Sequence, residues 1–189
     1  LPLDKALCAI GFPVATLWAK TNPAGAVSGP TDTDFNVRVL DVYPNGDEFF
    51  VAEGCVNARA RNYARTLAEN PMSDFRYQIG SDGKAFFPAD TVALTNINIG
   101  QLYEYHFRML PLAYVWGKSH KIKILITSSN NPRYQSNPNI PMDDGKFFRR
   151  IPNDGRSTTF NGQPVSPRKA VQRIAISSTH PSHIELPVY

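Results

Sequence analysis

Tyr103-Glu104-Tyr105-His106-Phe107-Arg108-Met109 carries an aromatic or apolar side chain at every odd position and a charged or polar one at every even position. A period of two puts all four apolar groups on one face of an extended chain, which describes a half-buried β-strand and not a helix. The pattern recurs on both sides. Phe35, Val37 and Val39 alternate with Asn36 and Arg38, and Ile122, Ile124 and Ile126 alternate with Lys121, Lys123 and Leu125. Nearer the end, Ile174 and Ile176 alternate with Arg173 and Ala175, while Ile184, Leu186 and Val188 alternate with Glu185 and Pro187. Stretches 13–20, 46–52 and 91–97 add further strands, about eight in all. Strands with one buried and one more polar face are what two packed antiparallel sheets require, so the predicted fold class is all-β, with strands spaced as in a sandwich or jelly roll.

Between these strands the chain is punctuated by 16 prolines and 12 glycines. Asn45-Gly46, Asp82-Gly83, Asp144-Gly145, Asp154-Gly155 and Asn161-Gly162 are turn dipeptides, because both residue types tolerate positive φ. One stretch departs from the pattern. Residues 58–70 are rich in Ala, Arg, Leu and Glu, and the expectation is a strand to about Arg61 followed by a helical turn. Ser128 to Lys169 is a long Pro-, Asn- and Gly-rich connection with aromatic islands, a length that predicts either the covering of a sheet or contact with a partner.

A length of 189 residues suits one domain, 1–189, large enough for its own core without metal or disulfide staples. With 42% hydrophobic and 19% charged residues the composition is that of an ordinary globular chain and excludes a disordered tail. The longest apolar run, Met109 to Trp116, is too short to cross a bilayer and contains Pro111, so no membrane span is expected. The 20 Lys and Arg against 16 Asp and Glu give a net charge of +4, but the cations are scattered and form no stripe that would track phosphates. Nucleic acid is therefore not an expected partner. Cys8 and Cys55 could pair or stay as buried thiols. The opening Leu-Pro-Leu-Asp-Lys has neither the basic start nor the apolar core of a signal peptide, and the expectation is a chain that begins inside a longer or processed protein.

Few residues carry a chemical signature. An α/β-hydrolase nucleophile needs Gly-x-Ser-x-Gly on a strained strand-to-helix elbow; the nearest approach, Gly117-Lys118-Ser119-His120-Lys121, lacks the last glycine and leads into a strand. The same residues lack the earlier glycine of a phosphate-binding loop, since Leu112 stands there. His120 therefore reads as a half-buried histidine hydrogen-bonded near a turn, and Ser119 beside it would point to the opposite strand face. His180 and His183 flank Pro181 with no Cys or carboxylate cluster to complete a zinc site. Asp32, Asp34 and Asp143-Asp144-Gly145 read as turn-shaping carboxylates in preference to an acid/base or calcium pair. No catalytic, cofactor or metal residue is assigned. Phe147-Phe148-Arg149-Arg150 differs from the rest: two adjacent aromatics and two arginines in a loop-rich segment look like a contact surface, and these four are the candidate domain-interface residues.

Five segments, in order, resemble one family. Thr33-Asp34-Phe35-Asn36-Val37-Arg38-Val39-Leu40-Asp41-Val42-Tyr43-Pro44-Asn45-Gly46 is similar to an Asp-Phe strand running into Leu-Asp-Val-x-Pro-(Asp/Asn)-Gly. Glu53-Gly54-Cys55-Val56-Asn57-Ala58-Arg59-Ala60-Arg61 resembles a Glu-Gly strand with alternating arginines, although Asn57 replaces one of them. Lys118-Ser119-His120-Lys121-Ile122-Lys123-Ile124 is similar to a Gly-His-(Arg/Lys) strand start, with Ser119 in the glycine's place. Ser128-Ser129-Asn130-Asn131-Pro132-Arg133-Tyr134 resembles Ser-Ser-Asn-Phe-Pro-Arg, and His180-Pro181-Ser182-His183-Ile184-Glu185-Leu186-Pro187-Val188 resembles a closing His-Pro-Ser-x-Ile-x-Leu-Pro strand. These are the marks of the C-terminal domain of the X-Pro dipeptidyl-peptidase and cocaine-esterase family of serine hydrolases, which includes acyl esterases, glutaryl acylases and α-amino-acid ester hydrolases.

The resemblance implies a galactose-binding-like jelly roll that supplies no triad residue and no cofactor. Its implied partner is an upstream α/β-hydrolase domain of the same polypeptide, in a bacterial enzyme, whose active site this domain helps to shape. The alternative expectation is a carbohydrate-binding module, since sugar binders share the fold.

Overall fold

In the computed structural model, residues 1–25, 27–69, 94–142 and 158–189 are described, together with the backbone of Gln78–Ile79 and Ala85–Phe86. The elements run β1 (Leu7–Gly11), β2 (Val14–Pro23), β3 (Pro30–Thr31), β4 (Asp34–Val42) and β5 (Glu48–Asn57). A short 3-10 turn, Ala58–Ala60, leads into helix α1 (Arg61–Glu69). Then come β6 (Gln78–Ile79), β7 (Ala85–Phe86), β8 (Ile97–Asn98), β9 (Tyr103–Arg108), β10 (Leu112–Trp116) and β11 (Lys121–Thr127). The last four are β12 (Thr158–Phe160), β13 (Gln163–Val165), β14 (Ala170–Ala175) and β15 (His183–Glu185).

Two antiparallel layers make the sandwich. In one, β2 is central, with β9 along one edge and β14 and β15 in succession along the other. In the other, β4 lies between β5 and β11. The inward faces follow the period of two: Ala15, Leu17 and Ala19 of β2, Tyr105 and Phe107 of β9, and Phe35, Val37 and Val39 of β4 are all at most 2% exposed. Small residues on the central β2 leave room for the rings opposite, and the Phe35 and Tyr105 rings stack at 4.8 Å. A β1–β10 ribbon closes one end with Ala9, Leu112 and the fully buried Trp116, and the C-terminal Val188 bridges to Ala9.

Most strand expectations match the structure, while β1 and β10 and the short β3, β6, β7, β12 and β13 are strands that the alternation did not single out. Residues 58–61 differ from expectation. The strand ends at Asn57 and α1 begins at Arg61, so helix propensity in Arg-Asn-Tyr-Ala-Arg-Thr-Leu-Ala-Glu prevails over the continuation of β5. Its start is fixed by Arg61, which donates from Nη1 to the Ala58 carbonyl (3.0 Å) and the Thr95 carbonyl (2.8 Å). Of the strand expected over 91–97, residues 91–93 lie outside the described residues, 94–96 are not strand, and pairing starts only at Ile97 in β8. Cys8 and Cys55 do not pair in a disulfide. Among the described residues no helix is long and apolar enough to cross a membrane.

Helix α1 lies along β9, with Arg65 ion-paired to Glu104 and, at 3.5 Å, to Glu69. Because the Arg65 side chain is 39% exposed, solvent screens both pairs. Arg65→Ala is expected to lower stability by less than about 1 kcal/mol in urea denaturation; a larger loss would mean that α1 is held by this contact and not by its apolar face.

Candidate functional site

The odd positions of β4 run Phe35, Val37, Val39 and then Asp41, so the core face of this strand ends on a carboxylate that is completely buried. Asp41 is matched from two directions. The turn before β11 brings in His120, whose Nδ1 donates to both carboxylate oxygens at 2.9 and 3.0 Å, and β10 brings in the Tyr114 hydroxyl, which donates to Oδ2 at 2.9 Å. Desolvation first, and the bond to Asp41 second, push the Tyr114 hydroxyl well above the ordinary tyrosine range, so it stays a donor. The Tyr43 ring covers the imidazole at 4.2 Å. On its other side the imidazole lies against Gly117, where an added Cβ would be 2.7 Å from Nε2. His120 is thus clasped at Nδ1 and packed against Gly117, an arrangement that fixes the turn before β11.

A second polar cluster covers the outer face of β4 and β5. Arg38 and Glu53 face each other across the ladder, with Nε 3.4 Å from the carboxylate. Glu53 is only 1% exposed because the segment after β11 folds back over it: Arg133 ion-pairs with it and Asn130 donates to it at 3.2 Å, while Arg38 also donates to Asn130. Farther along the same face, the Asn57 amide donates to both Asp32 oxygens (2.9 and 3.0 Å) and to Asp34 (2.9 Å). Asn137 adds bonds to Asp32 (3.2 Å) and Asp34 (3.0 Å). Asp32 and Asp34, which the sequence suggests shape a turn through local hydrogen bonds, are instead buried acceptors whose partners come from distant segments and tie the covering segment to the sheet. Ile140 and Met142 are buried farther along that segment, so the described part of the long connection does cover a sheet.

The remaining sequence candidates are placed as follows. His180 packs edge-on against Trp18 at 4.7 Å, and His183 Nδ1 bonds the Pro181 carbonyl at 2.7 Å while Nε2 lies 3.2 Å from Glu185. Among the described residues no three His, Cys, Asp or Glu side chains gather to hold a metal. The Pro181 carbonyl and, less strongly, Glu185 raise the His183 pKa. An NMR titration is therefore expected to show His183 protonating above the usual histidine range, and E185Q to lower it part of the way. Stability from this contact is present at pH below the unfolded histidine value and is lost as pH rises through the raised folded value. Phe147, Phe148, Arg149 and Arg150, with Asp143-Asp144-Gly145, lie outside the described residues.

One sizeable groove, about 640 Å³, opens between α1 and the turn after β9. Tyr63, Ala64 and Leu67 form one wall, Met109, Leu110 and Pro111 the other, and Arg108 lies over the Phe12 ring at 4.5 Å. Its lining is dominated by apolar side chains and carries no acid–base pair, which suits contact with another surface better than bond-breaking.

The sequence matches the X-Pro dipeptidyl-peptidase C-terminal non-catalytic domain family over residues 1–185. The chain belongs to this family. The cocaine esterase of Rhodococcus sp. (strain MB1 Bresler) is 30% identical over 161 residues, which cover 85% of this chain and 21% of the esterase. Two solved structures align over the whole chain: an α-amino acid ester hydrolase (TM-score 0.65, 22% identity, 24% of that chain) and an aminopeptidase from a marine sediment archaeon, Thaumarchaeota archaeon (TM-score 0.64, 21% identity, 25% of that chain). These structures show the fold, an all-β jelly-roll sandwich. The chain spans a quarter or less of the length of these relatives.

Against the geometry, the family's motif residues turn out to be its internal fastenings. Asp41 of the Leu-Asp-Val strand meets His120 of the strand start, and Glu53 of the Glu-Gly strand meets Asn130 and Arg133 of the Ser-Ser-Asn-x-Pro-Arg segment. The distance in sequence hid these pairings. One signal was available, since Asp41 continues the odd-numbered core face of β4 and a carboxylate there demands a buried partner.

Proposed function

We propose that this chain is the C-terminal accessory domain of a longer serine hydrolase acting on ester or amide bonds, whose nucleophile, acid and base belong to an upstream α/β-hydrolase domain. The observation that carries the reading is the family match over residues 1–185, combined with a span of only a quarter or less of each relative. The chain's own buried acids and histidine support it, because Asp32, Asp34, Asp41, Glu53 and His120 are engaged within the fold. The domain's work is to pack on the catalytic domain and hold the walls of its active site in place. Phe147, Phe148, Arg149 and Arg150 are proposed as domain contacts, by their composition.

An activated acyl ester tests this. The 189-residue chain is expected to be silent, while the parent polypeptide turns the ester over, is blocked by a serine-directed reagent and loses activity when this domain is deleted. Stoichiometrically inhibitable hydrolysis by the chain alone would overturn the reading, and a parent indifferent to the deletion would remove the supporting role.

A further inference from the structure

Both layers of the sandwich stop short on one side. On that side the inward faces of β11, β14 and β15 bound a groove of about 410 Å³ lined by Ile122, Ile124, Ile126, Ile174, Ile184 and Leu186. These are core-face positions by strand parity, yet Ile124 is 37% exposed, and Ile176, which continues the face of β14, is 84% exposed. Aliphatic side chains aimed between two sheets and left open to water lack the filling that the period of two prepares for them. The backbone tells the same story, since β11 pairs with β4 along one edge and, among the described residues, with nothing along the other.

We propose that this edge and groove receive an extended, apolar-alternating segment of the parent polypeptide from the stretch immediately before Leu1, which pairs with β11 as an added strand. The inference rests on one part of the function proposed above, that the chain is one portion of a longer polypeptide. Three observations select this occupant. The Leu3 amide donates to the His120 carbonyl (2.8 Å) and the Ser119 amide to the Leu3 carbonyl (2.9 Å), so the chain enters beside the residue that precedes β11. Leu1 is fully exposed there, and the relatives continue for three-quarters or more of their length beyond the matched region. A strand bonded to β11 sends every second side chain into the space between the layers, as the groove requires and as a flat protein surface cannot do.

Hydrogen exchange at β11, read in the parent polypeptide, is the test. The β11 amides turned away from β4 are expected to exchange at least about 100-fold more slowly than unprotected amides. Single prolines through the stretch of about twenty residues before Leu1, enough for one strand and its connection, should restore fast exchange at that edge while the β4-side amides stay slow. Alanine at the same positions should leave the edge protected. Fast exchange in the unaltered parent, protection indifferent to every proline, or protection lost on dilution would overturn the proposal, the last two in favour of a domain surface and of a second copy. If the proline variants fail to fold, Ile176→Cys in the parent decides: a thiol unreactive toward a small alkylating reagent is expected, and one that reacts as fast as an unfolded thiol overturns it. None of these readouts uses hydrolytic activity, so a silent parent would sink the hydrolase reading and leave the strand pairing standing.

Discussion

Asp41→Ala is expected to lower the unfolding free energy by about 3–5 kcal/mol, because it leaves two donors in the buried cluster without the carboxylate acceptor they share. The carboxylate is completely buried and accepts from His120 Nδ1 and from the Tyr114 hydroxyl. Its loss strands both donors, and His120 is packed between Gly117 and the Tyr43 ring, which restricts the ring's reorientation. The damage also spreads along the chain, since the His120 carbonyl receives the Leu3 amide, and a turn that relaxes releases that segment. Asp41→Asn keeps an acceptor for one donor and should cost about 1–2 kcal/mol, while Tyr114→Phe, which removes a single bond, should cost about 1 kcal/mol. Urea midpoints at unchanged m report these differences. An alanine variant within about 0.5 kcal/mol of the parent sequence would show that the cluster is a replaceable filling and not a fastening.

The periodic part of this fold was legible because it is local. In β4, β9 and β11 each apolar residue announces its face two residues ahead, and the same parity that buries Phe35 and Val37 also buries Tyr105 and Phe107. What periodicity could not convey is which polar residues meet. Arg38 and Glu53, 15 positions apart, meet through the β4–β5 register, while Glu53 and Arg133 are 80 apart and meet only because the segment after β11 returns over the sheet. Asp32 and Asp34 read as turn carboxylates for the same reason, because beside a Thr and before a strand they carry the local chemistry of a turn, while their amide partners come from Asn57 and Asn137. Residues 58–61 failed differently. There a strand pattern and a helix-favouring composition overlap, and the anchoring of Arg61 on Thr95 decides in favour of the helix.

Gly54→Ala should destabilise the protein by about 2–3 kcal/mol, against the gain that alanine ordinarily brings over glycine inside a strand. Gly54 faces the core of β5 where Met109 crosses it, and an added Cβ would stand 2.8 Å from Met109 Cγ and 3.0 Å from its Cα. The thioether arm could swing aside, but the Cα cannot. The Met109 amide is bonded to the Pro13 carbonyl and the Leu110 amide to the Glu53 carbonyl, both at 2.8 Å, so the crossing strand is held on either side of the contact. Relief would require Glu53 to shift, and Glu53 is itself held by Arg38, Arg133 and Asn130. The glycine of the Glu-Gly pair is thus needed for close approach and not for a special φ, and the adjacent glutamate explains why the two occur together. Paired with Met109→Ala, the change should be less than additive by at least about 0.5 kcal/mol, since the shortened side chain removes the nearer clash and leaves the backbone one. Strict additivity in a double-mutant cycle would mean that the strands separate freely at Met109, and the glutamate's fastening would then not extend to its neighbour.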